Sequence, residues 1–132
     1  MKKLLAVMLC SVLTCAGVSA ADAVKREQVE LAQGAPVKKL NGKIKGYESV
    51  EYSIAVPAGS TLDLKLKSGN PSNYFNVSAA GADEALFVGS RDGDHFHAKP
   101  EVAASYKVNV YLMRNAARKN QSASFVLEAG VR

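Results

Sequence analysis

Most of the chain alternates between apolar and polar residues with a period of two, and this pattern constrains the fold more than any other feature. Apolar residues occupy every second position from Val50 to Val56, from Leu62 to Leu66 and from Tyr106 to Leu112. Because successive side chains of a strand point to opposite faces, these runs predict strands with one buried and one solvent-facing side. Shorter runs of the same kind cover residues 42–44, 74–77, 85–88 and 124–129.

Turn-forming residues separate these runs about every ten residues, a spacing typical of β-sandwiches and barrels. The Pro57-Ala58-Gly59-Ser60 segment predicts a hairpin turn, since proline restricts φ and glycine tolerates a positive φ. After residue 20, no window of twelve or more residues has a helical apolar period, and residues 24–31 fit either a short helix or an edge strand. We therefore predict an all-β fold, an antiparallel two-sheet β-sandwich of about seven or eight strands.

The first twenty residues have the pattern of a signal peptide. Lys2 and Lys3 precede an apolar stretch from Leu4 to Val18, and Val18-Ser19-Ala20 offers the small residues that a signal peptidase requires. The stretch is shorter than the ~20 apolar residues of a membrane-spanning helix. We expect a signal peptide at 1–20, a single domain at 21–132, a periplasmic location and no membrane span.

Both cysteines, Cys10 and Cys15, lie within the predicted signal peptide. Cleavage after Ala20 would therefore leave a mature chain without a disulfide in an oxidising compartment, stabilised by its hydrophobic core. Val12-Leu13-Thr14 before Cys15 resembles a lipoprotein lipid-attachment box, but threonine fits the position before the cysteine poorly. Lipidation is not favoured.

The charge of the chain gives no reason to expect nucleic acid as a partner. The full chain has 17 Lys and Arg against 12 Asp and Glu, a net charge of +5, and loss of Lys2 and Lys3 leaves 15 against 12, or +3. Nucleic-acid-binding proteins usually have a denser basic stripe. The remaining lysines are interpreted as scattered, solvent-facing strand positions.

Catalytic residue patterns are not found, and we predict neither an enzyme nor a cofactor. After residue 20 there is no cysteine, and the chain has no Gly-x-Ser-x-Gly elbow and no histidine clearly paired with a serine. His95 and His97 stand two apart in an Asp/Gly-rich segment that we interpret as a solvated loop. A metal site at these histidines remains an alternative if further ligands converge on them.

A cationic segment stands out against this background. Arg114, Arg118 and Lys119 lie within six residues, between the run that ends at Leu112 and the run that begins at Ser124. A segment tethered at both ends by strands presents its charges rigidly. It predicts a binding site for an acidic surface.

Two motifs resemble a known family, the periplasmic inhibitors of goose-type (g-type) lysozyme of Gram-negative bacteria. They are Gly42-Lys43-Ile44-Lys45-Gly46-Tyr47 and Arg114-Asn115-Ala116-Ala117-Arg118-Lys119-Asn120, and the resemblance extends from Gly42 to Glu128. It implies that the partner is goose-type lysozyme and that a cationic loop occludes the lysozyme active-site cleft. Its main inhibitory residues would be Tyr47, Arg114 and Arg118, with Asn115 and Lys119 beside them.

A second resemblance implies a different function for the same fold. Glu51-Tyr52-Ser53-Ile54, followed by the Pro57-Ala58-Gly59 turn, is similar to the non-catalytic β-sandwich modules that are appended to secreted peptidases. Such a binding module is the alternative to a lysozyme inhibitor, because a shared fold does not by itself imply a shared function.

Overall fold

The structure, a computed structural model, describes residues 23–132; the predicted signal peptide and both cysteines lie outside this range. Within it the chain forms nine strands and two short helices. The strands are β1 (Val24–Glu30), β2 (Lys38–Lys45), β3 (Ser49–Val56), β4 (Leu62–Ser68), β5 (Asn73–Ala79), β6 (Ala85–Val88), β7 (His95–Ala98), β8 (Ala104–Leu112) and β9 (Ser122–Val131). The helices are α1 (Gly89–Asp92) and α2 (Arg114–Arg118). Neither helix of this range is long and apolar enough to span a membrane.

The strands form two sheets, and the predicted two-sheet β-sandwich is confirmed. A five-stranded sheet has the order β1-β3-β8-β5-β6 and a four-stranded sheet has the order β2-β9-β4-β7. All pairs described are antiparallel except β1 with β3, so residues 24–30 form an edge strand that pairs in parallel. The strand missing from the prediction is β7, whose four residues contain a single buried apolar side chain, Phe96. So short a run gives no periodic signal.

The core lies between the two sheets and is filled by the inward-facing member of each alternating pair. In β3, for example, Tyr52 and Ile54 are almost completely buried. Burial, with a smaller contribution from Glu27, raises the pKa of Tyr52 to about 12. Phe75 stacks on Phe87 with 4.9 Å between ring centroids. Each fully buried side chain of this size contributes roughly 1.5–3 kcal/mol, and this burial holds the two sheets together.

The prediction of a hairpin at Pro57–Ser60 is wrong. β3 belongs to the five-stranded sheet and β4 to the four-stranded sheet, so this segment crosses from one layer to the other. Thr61 donates its backbone N–H to the carbonyl of Arg132 (2.7 Å), and Gly59 donates to Pro100 (2.9 Å). Within residues 23–132, every connection except the β5–β6 turn crosses between the sheets. Alternation predicted strands with one buried face but did not show in which sheet each strand lies.

Candidate functional site

The cationic segment between β8 and β9 is a helical turn, α2, and not the open loop that the sequence predicted. Ala116 and Ala117 both donate their backbone N–H to the carbonyl of Met113, at 3.0 and 2.9 Å. Their side chains are buried, with 2% and 3% exposed. Because the alanine methyl groups are small, the turn packs closely on the end of the sandwich.

Asn120 ends this helical turn in a left-handed conformation, with φ 54°. Asn120 donates its N–H to the carbonyl of Ala117 (2.9 Å), and Gln121 donates to Ala116 (3.2 Å). These two hydrogen bonds are those of a Schellman cap, in which the residue after the helix is usually glycine and sometimes asparagine. The last residue of the second motif therefore fixes where α2 ends.

The packing of the two alanines leaves the polar residues of α2 and its cap in solvent. Arg114, Asn115, Arg118 and Lys119 are all exposed. The two arginines are four residues apart, so they lie on the same face of the helix. Within the described part of the chain, neither of them nor Lys119 forms an ion pair. Like charges at this spacing repel each other, so helix stability does not explain their grouping.

Tyr47 lies in a β-turn that carries the chain from β2 to β3. Glu48 donates its N–H to the carbonyl of Lys45 (3.1 Å), which closes the turn. Gly46, at the first central position, has φ 62°, a conformation that glycine adopts without steric cost. The side chain of Tyr47 is 50% exposed.

The two motifs meet at the end of the sandwich where α2 lies. Gly46 donates its backbone N–H to the carbonyl of Gln121 at 2.8 Å. A Cβ at Gly46 would lie 2.7 Å from the Oδ1 of Asn120. The absence of a side chain at Gly46 therefore allows the Tyr47 turn to pack against the cap of α2, and the predicted site residues share one end of the molecule.

The first glycine of the same motif has a purely structural role. Gly42 in β2 is paired with Phe125 in β9, and both face the core. A Cβ at Gly42 would collide with the ring of Phe125. Gly42 thus makes space for the ring of Phe125. This packing keeps β2 in place against β9, and the Tyr47 turn follows directly after β2.

Asn70 is a site-positioning residue that the sequence analysis did not identify. From the crossover between β4 and β5, its Nδ2 donates to the Oε1 of Gln121 (3.2 Å) and to the carbonyl of Ser122 (3.1 Å). Its Oδ1 accepts the N–H of Ser72 (2.9 Å), and the carbonyl of Ser72 accepts the N–H of Met113 (2.9 Å). This crossover therefore braces both ends of α2. Asn70 lies among turn-forming residues, as the spacing of the strands predicts, but no sequence signal pointed to its contact with α2.

The two histidines are exposed, as predicted, but they lie in strand β7 and not in a loop. Their rings are 6.1 Å apart, as expected for two residues on one strand face. The Nε2 of His95 is 3.7 Å from the Oδ1 of Asp63, whose Oδ2 already accepts a hydrogen bond from Arg132 at 2.7 Å. Within residues 23–132, no cluster of three or more potential ligands can hold a metal.

Solved structures with the same fold include periplasmic inhibitors of g-type lysozyme. PliG of Aeromonas hydrophila is 29% identical, with a TM-score of 0.73, over 85% of this chain and 100% of that chain. PliG of Salmonella Typhimurium is 21% identical, with a TM-score of 0.60, over 82% and 98%. No profile of a known protein family matches the chain, and no curated protein sequence does.

A similar fold is also found in a peptidase module, the kind of domain to which the second resemblance in the sequence pointed. The pre-peptidase C-terminal domain of a collagenase from Bacillus anthracis is 17% identical, with a TM-score of 0.56, over 82% of this chain and 95% of that domain. At that identity the likeness concerns the fold alone. The predicted resemblance to inhibitors of g-type lysozyme is confirmed, and the similarity to the Aeromonas protein is higher in both sequence and structure.

Proposed function

We propose that this chain, whose fold and motifs resemble those of the periplasmic inhibitors of g-type lysozyme, binds goose-type lysozyme and occludes its active-site cleft. The observation that carries the proposal is the hydrogen bond from Gly46 to Gln121, because it joins the Tyr47 turn to α2. Two motifs that are distant in the sequence thereby become one surface. That surface contains Tyr47, Arg114, Asn115, Arg118 and Lys119, all of which are exposed.

The chemistry of this surface suits a glycosidase cleft. Such clefts contain carboxyl groups on either side of the bond that is cleaved. An arginine guanidinium engages a carboxylate through two parallel hydrogen bonds, and its charge strengthens both. Arg114 and Arg118 lie on one face of α2, so both can enter one cleft.

Tyr47 and Lys119 would add contacts of two other kinds. A tyrosine gives a flat, largely apolar contact with one polar end, and such residues are common at the centres of interfaces. Lys119, at the margin of α2, adds long-range attraction that speeds association at low salt. Within this proposal Asn115, next to Arg114 on the exposed side of α2, contributes a neutral hydrogen-bonding group.

The proposed setting is the periplasm, where such an inhibitor would protect the peptidoglycan from a lysozyme that crosses the outer membrane. The predicted signal peptide at 1–20 and the periplasmic origin of the similar PliG proteins support this location. The chain would act by binding and would catalyse no reaction itself.

The decisive experiment titrates a goose-type lysozyme with the parent protein and with Arg118→Ala. Loss of a desolvated charge pair at an interface costs roughly 2–5 kcal/mol, so inhibition should fall by at least about thirtyfold, since ~1.4 kcal/mol is a factor of ten. The Tm should barely change, because exposed substitutions usually stay within ~0.5 kcal/mol. Arg114→Ala and Tyr47→Ala should behave in the same way.

Arg91→Ala is the matched control, since Arg91 is an exposed arginine in the other short helix. It should inhibit like the parent. If all three substitutions at α2 and the Tyr47 turn leave inhibition intact, the surface is not inhibitory. A parent protein that inhibits no goose-type lysozyme would instead favour the binding-module alternative, which the fold of the collagenase domain supports.

A further inference from the structure

Several lysines that are scattered along the sequence lie close together on the outer surface of the four-stranded sheet. Inward positions of β2 and β4 hold apolar residues such as Leu40 and Leu64, so the alternate positions point to solvent. The outward positions of the two strands contain five exposed lysines. Lys45 ends β2, and the other four, which we call the lysine face, lie nearer the middle of the sheet: Lys39, Lys43, Lys65 and Lys67.

The strand register places these charges close together. Glu128 of the central strand β9 is paired with Lys39 of β2 on one side and with Lys65 of β4 on the other. His95 of β7 follows Lys65 in the same row. With strands about 4.8 Å apart and about 3.4 Å per residue along a strand, the four lysines occupy an area of roughly 10 by 13 Å.

Glu128 is the sole acidic residue within this row, and the lysines around it outnumber it. Its Oε1 lies 2.9 Å from the Nζ of Lys67. That hydrogen bond, together with the nearby charges of Lys39 and Lys65, holds the pKa of Glu128 below its ordinary value. Within residues 23–132, neither Lys39 nor Lys65 forms an ion pair. The other acid at an outward position of these strands, Asp63 of β4, is paired with Arg132 at 2.7 Å. The lysine face therefore keeps an excess of positive charge.

The outer surface of the five-stranded sheet has no comparable excess. Its outward positions include Glu51 of β3, which lies 3.7 Å from Arg26 of β1. In the neighbouring strand β8, the outward positions that follow Lys107 hold neutral residues, Asn109 and Tyr111. The two faces of the sandwich thus differ in charge although both are polar.

We propose that the lysine face binds the planar, anionic surface of a phospholipid bilayer. Lysine is a compact charge on a flexible stem and does not require the fixed two-point geometry that arginine suits. A lattice of lysines on an open sheet therefore fits a planar array of negative charges better than a single carboxylate or phosphate.

The rest of the face determines the mode of binding. The exposed large apolar residues of the described chain are Val24, Val37, Tyr47, Leu86, Val102 and Met113. None of them lies in β2, β4, β7 or β9. Val37, just before β2, lies against Gly130 of β9, where a Cβ would be 3.4 Å from its Cγ2, so a single exposed valine borders the face and offers little area to insert into the hydrocarbon. Phenylalanine, tyrosine and tryptophan are missing from its outward strand positions, and the two imidazole rings, His95 and His97, lie together on the edge strand β7, which disfavours binding of single-stranded nucleic acid along the face. The attachment is peripheral and electrostatic.

This attachment leaves the α2 end of the molecule accessible. The lysine face looks outward from the sheet, whereas α2 and the Tyr47 turn lie beyond the ends of the strands. A molecule lying with its lysine face on a bilayer can still present Arg114 and Arg118. The bilayer proposal does not depend on lysozyme inhibition.

The test measures binding of the parent protein to vesicles of phosphatidylglycerol and phosphatidylcholine in equal parts, with pure phosphatidylcholine vesicles as reference. Binding should require the anionic lipid and weaken as salt is raised, since salt screens exposed charges. Each lysine near an anionic surface is worth about a factor of five in affinity. The variant Lys39→Gln/Lys65→Gln should therefore bind about twenty-five times more weakly.

Two further variants exclude a trivial explanation. Glu128→Gln removes the opposing charge and should strengthen binding by about fivefold, which loss of folding cannot produce. Lys107→Gln removes one exposed lysine from the other sheet and should bind like the parent. All variants should retain the Tm of the parent to within a few degrees, because the substituted side chains are at least partly exposed.

Three results would overturn the proposal. The first is equal binding to vesicles with and without the anionic lipid. The second is that Lys107→Gln weakens vesicle binding as much as the single substitution Lys39→Gln or Lys65→Gln does. The third is binding to a soluble polyanion, such as polyglutamate or duplex DNA, without binding to vesicles. The lysozyme assay is independent of all three, because Arg118→Ala should bind vesicles like the parent.

Discussion

The two short helices of this protein lie in crossovers between the same two sheets, yet their arginines are in opposite situations. α1 connects β6 to β7 and α2 connects β8 to β9. In α1 the Nε and Nη2 of Arg91 donate to the two carboxylate oxygens of Asp92, both at 3.0 Å. In α2, by contrast, Arg118 has no acidic neighbour in the helix.

The acid of α1 also holds its own turn together. The Oδ2 of Asp92 accepts the backbone N–H of Val88 at 3.0 Å. Two hydrogen bonds lower the pKa of Asp92 to about 2; the bond from Arg91 has the larger effect and the bond from Val88 the next largest. The same pair raises the pKa of Arg91. The charge of Arg91 is thus used locally, whereas the donors of Arg114 and Arg118 remain available to a partner.

An exposed arginine is therefore informative about function only together with its neighbours. Both helices are short and carry exposed arginines, and a residue with positive φ follows each of them, Gly93 directly after α1 and Asn120 two positions after α2. The carboxylate of Asp92 engages the arginine of α1, whereas the arginines of α2 lack such a neighbour and remain available to bind a partner.

The strongest test of this comparison introduces an acid into α2. Lys119→Asp creates in α2 the Arg-Asp sequence that Arg91 and Asp92 form in α1. It removes one positive charge and gives Arg118 an intramolecular partner, so inhibition of a goose-type lysozyme should fall on the order of a hundredfold. The measurement is a titration of lysozyme activity.

Lys119→Gln is the control for this substitution, because it removes the charge without supplying an acid. It should weaken inhibition only severalfold, mainly through slower association at low salt. Equal effects of Lys119→Asp and Lys119→Gln would mean that the absence of an acidic neighbour is unimportant to α2.

A second test compares the residues that follow the two helices. Gly93 has φ 107° and ψ −155°, a region that is essentially restricted to glycine. Gly93→Asn should therefore lower the free energy of unfolding by about 1–3 kcal/mol, although a Cβ there would meet nothing within 4 Å. Asn120→Gly should stay within about 0.5 kcal/mol, since glycine adopts the left-handed conformation readily.

Thermal unfolding of the two variants checks this expectation. Asn120→Ala is an additional control, because alanine in the left-handed region costs roughly 1–2 kcal/mol. If Gly93→Asn unfolds at the temperature of the parent, the backbone of the α1 crossover is not restricted in the way described.

The smallest expected effect concerns acid stability. The pKa of Asp92 in the folded chain, about 2, lies below the ordinary value of 3.8. Its ionised form therefore stabilises the folded state above pH ~4, and this contribution is lost as the pH falls towards 2. The Tm of Asp92→Asn should be lower than that of the parent at pH 6, and the two values should converge at pH 2.

Arg91→Gln provides the matched comparison, since it removes the largest cause of the lowered pKa of Asp92. It should show most of the same pH dependence. A Tm difference between parent and Asp92→Asn that persists unchanged at pH 2 would contradict the role assigned to the carboxylate.

Much of the fold was predictable from the sequence because alternation is a local property. The runs at 50–56 and 106–112 correspond closely to β3 and β8. By contrast, β7 escaped prediction since His95–Ala98 is too short to be periodic. The crossover at Pro57–Ser60 was misinterpreted because a tight turn has the same composition whether it connects strands of one sheet or of two.

The candidate site, too, has some features that the local sequence predicts and others that depend on contacts between distant segments. The residue types of both motifs, and the grouping of Arg114, Arg118 and Lys119, are present in the sequence itself. Their helical arrangement was not predicted, because five residues are too few for a helical period to be recognised. Ala116 and Ala117 become anchors only where a sandwich end is available to bury them.

The alternation of residues, the places where turns interrupt it and the grouping of the cations can be read directly from the sequence, since these features depend on neighbours along the chain. Three other relations become visible only in the folded chain: the Tyr47 turn lies against the cap of α2, Asn70 contacts segments at both ends of α2, and the four lysines share one face. These relations join segments that are distant in the chain. They follow from sheet register and from crossovers, which are settled by the packing of the whole core and not by any local pattern.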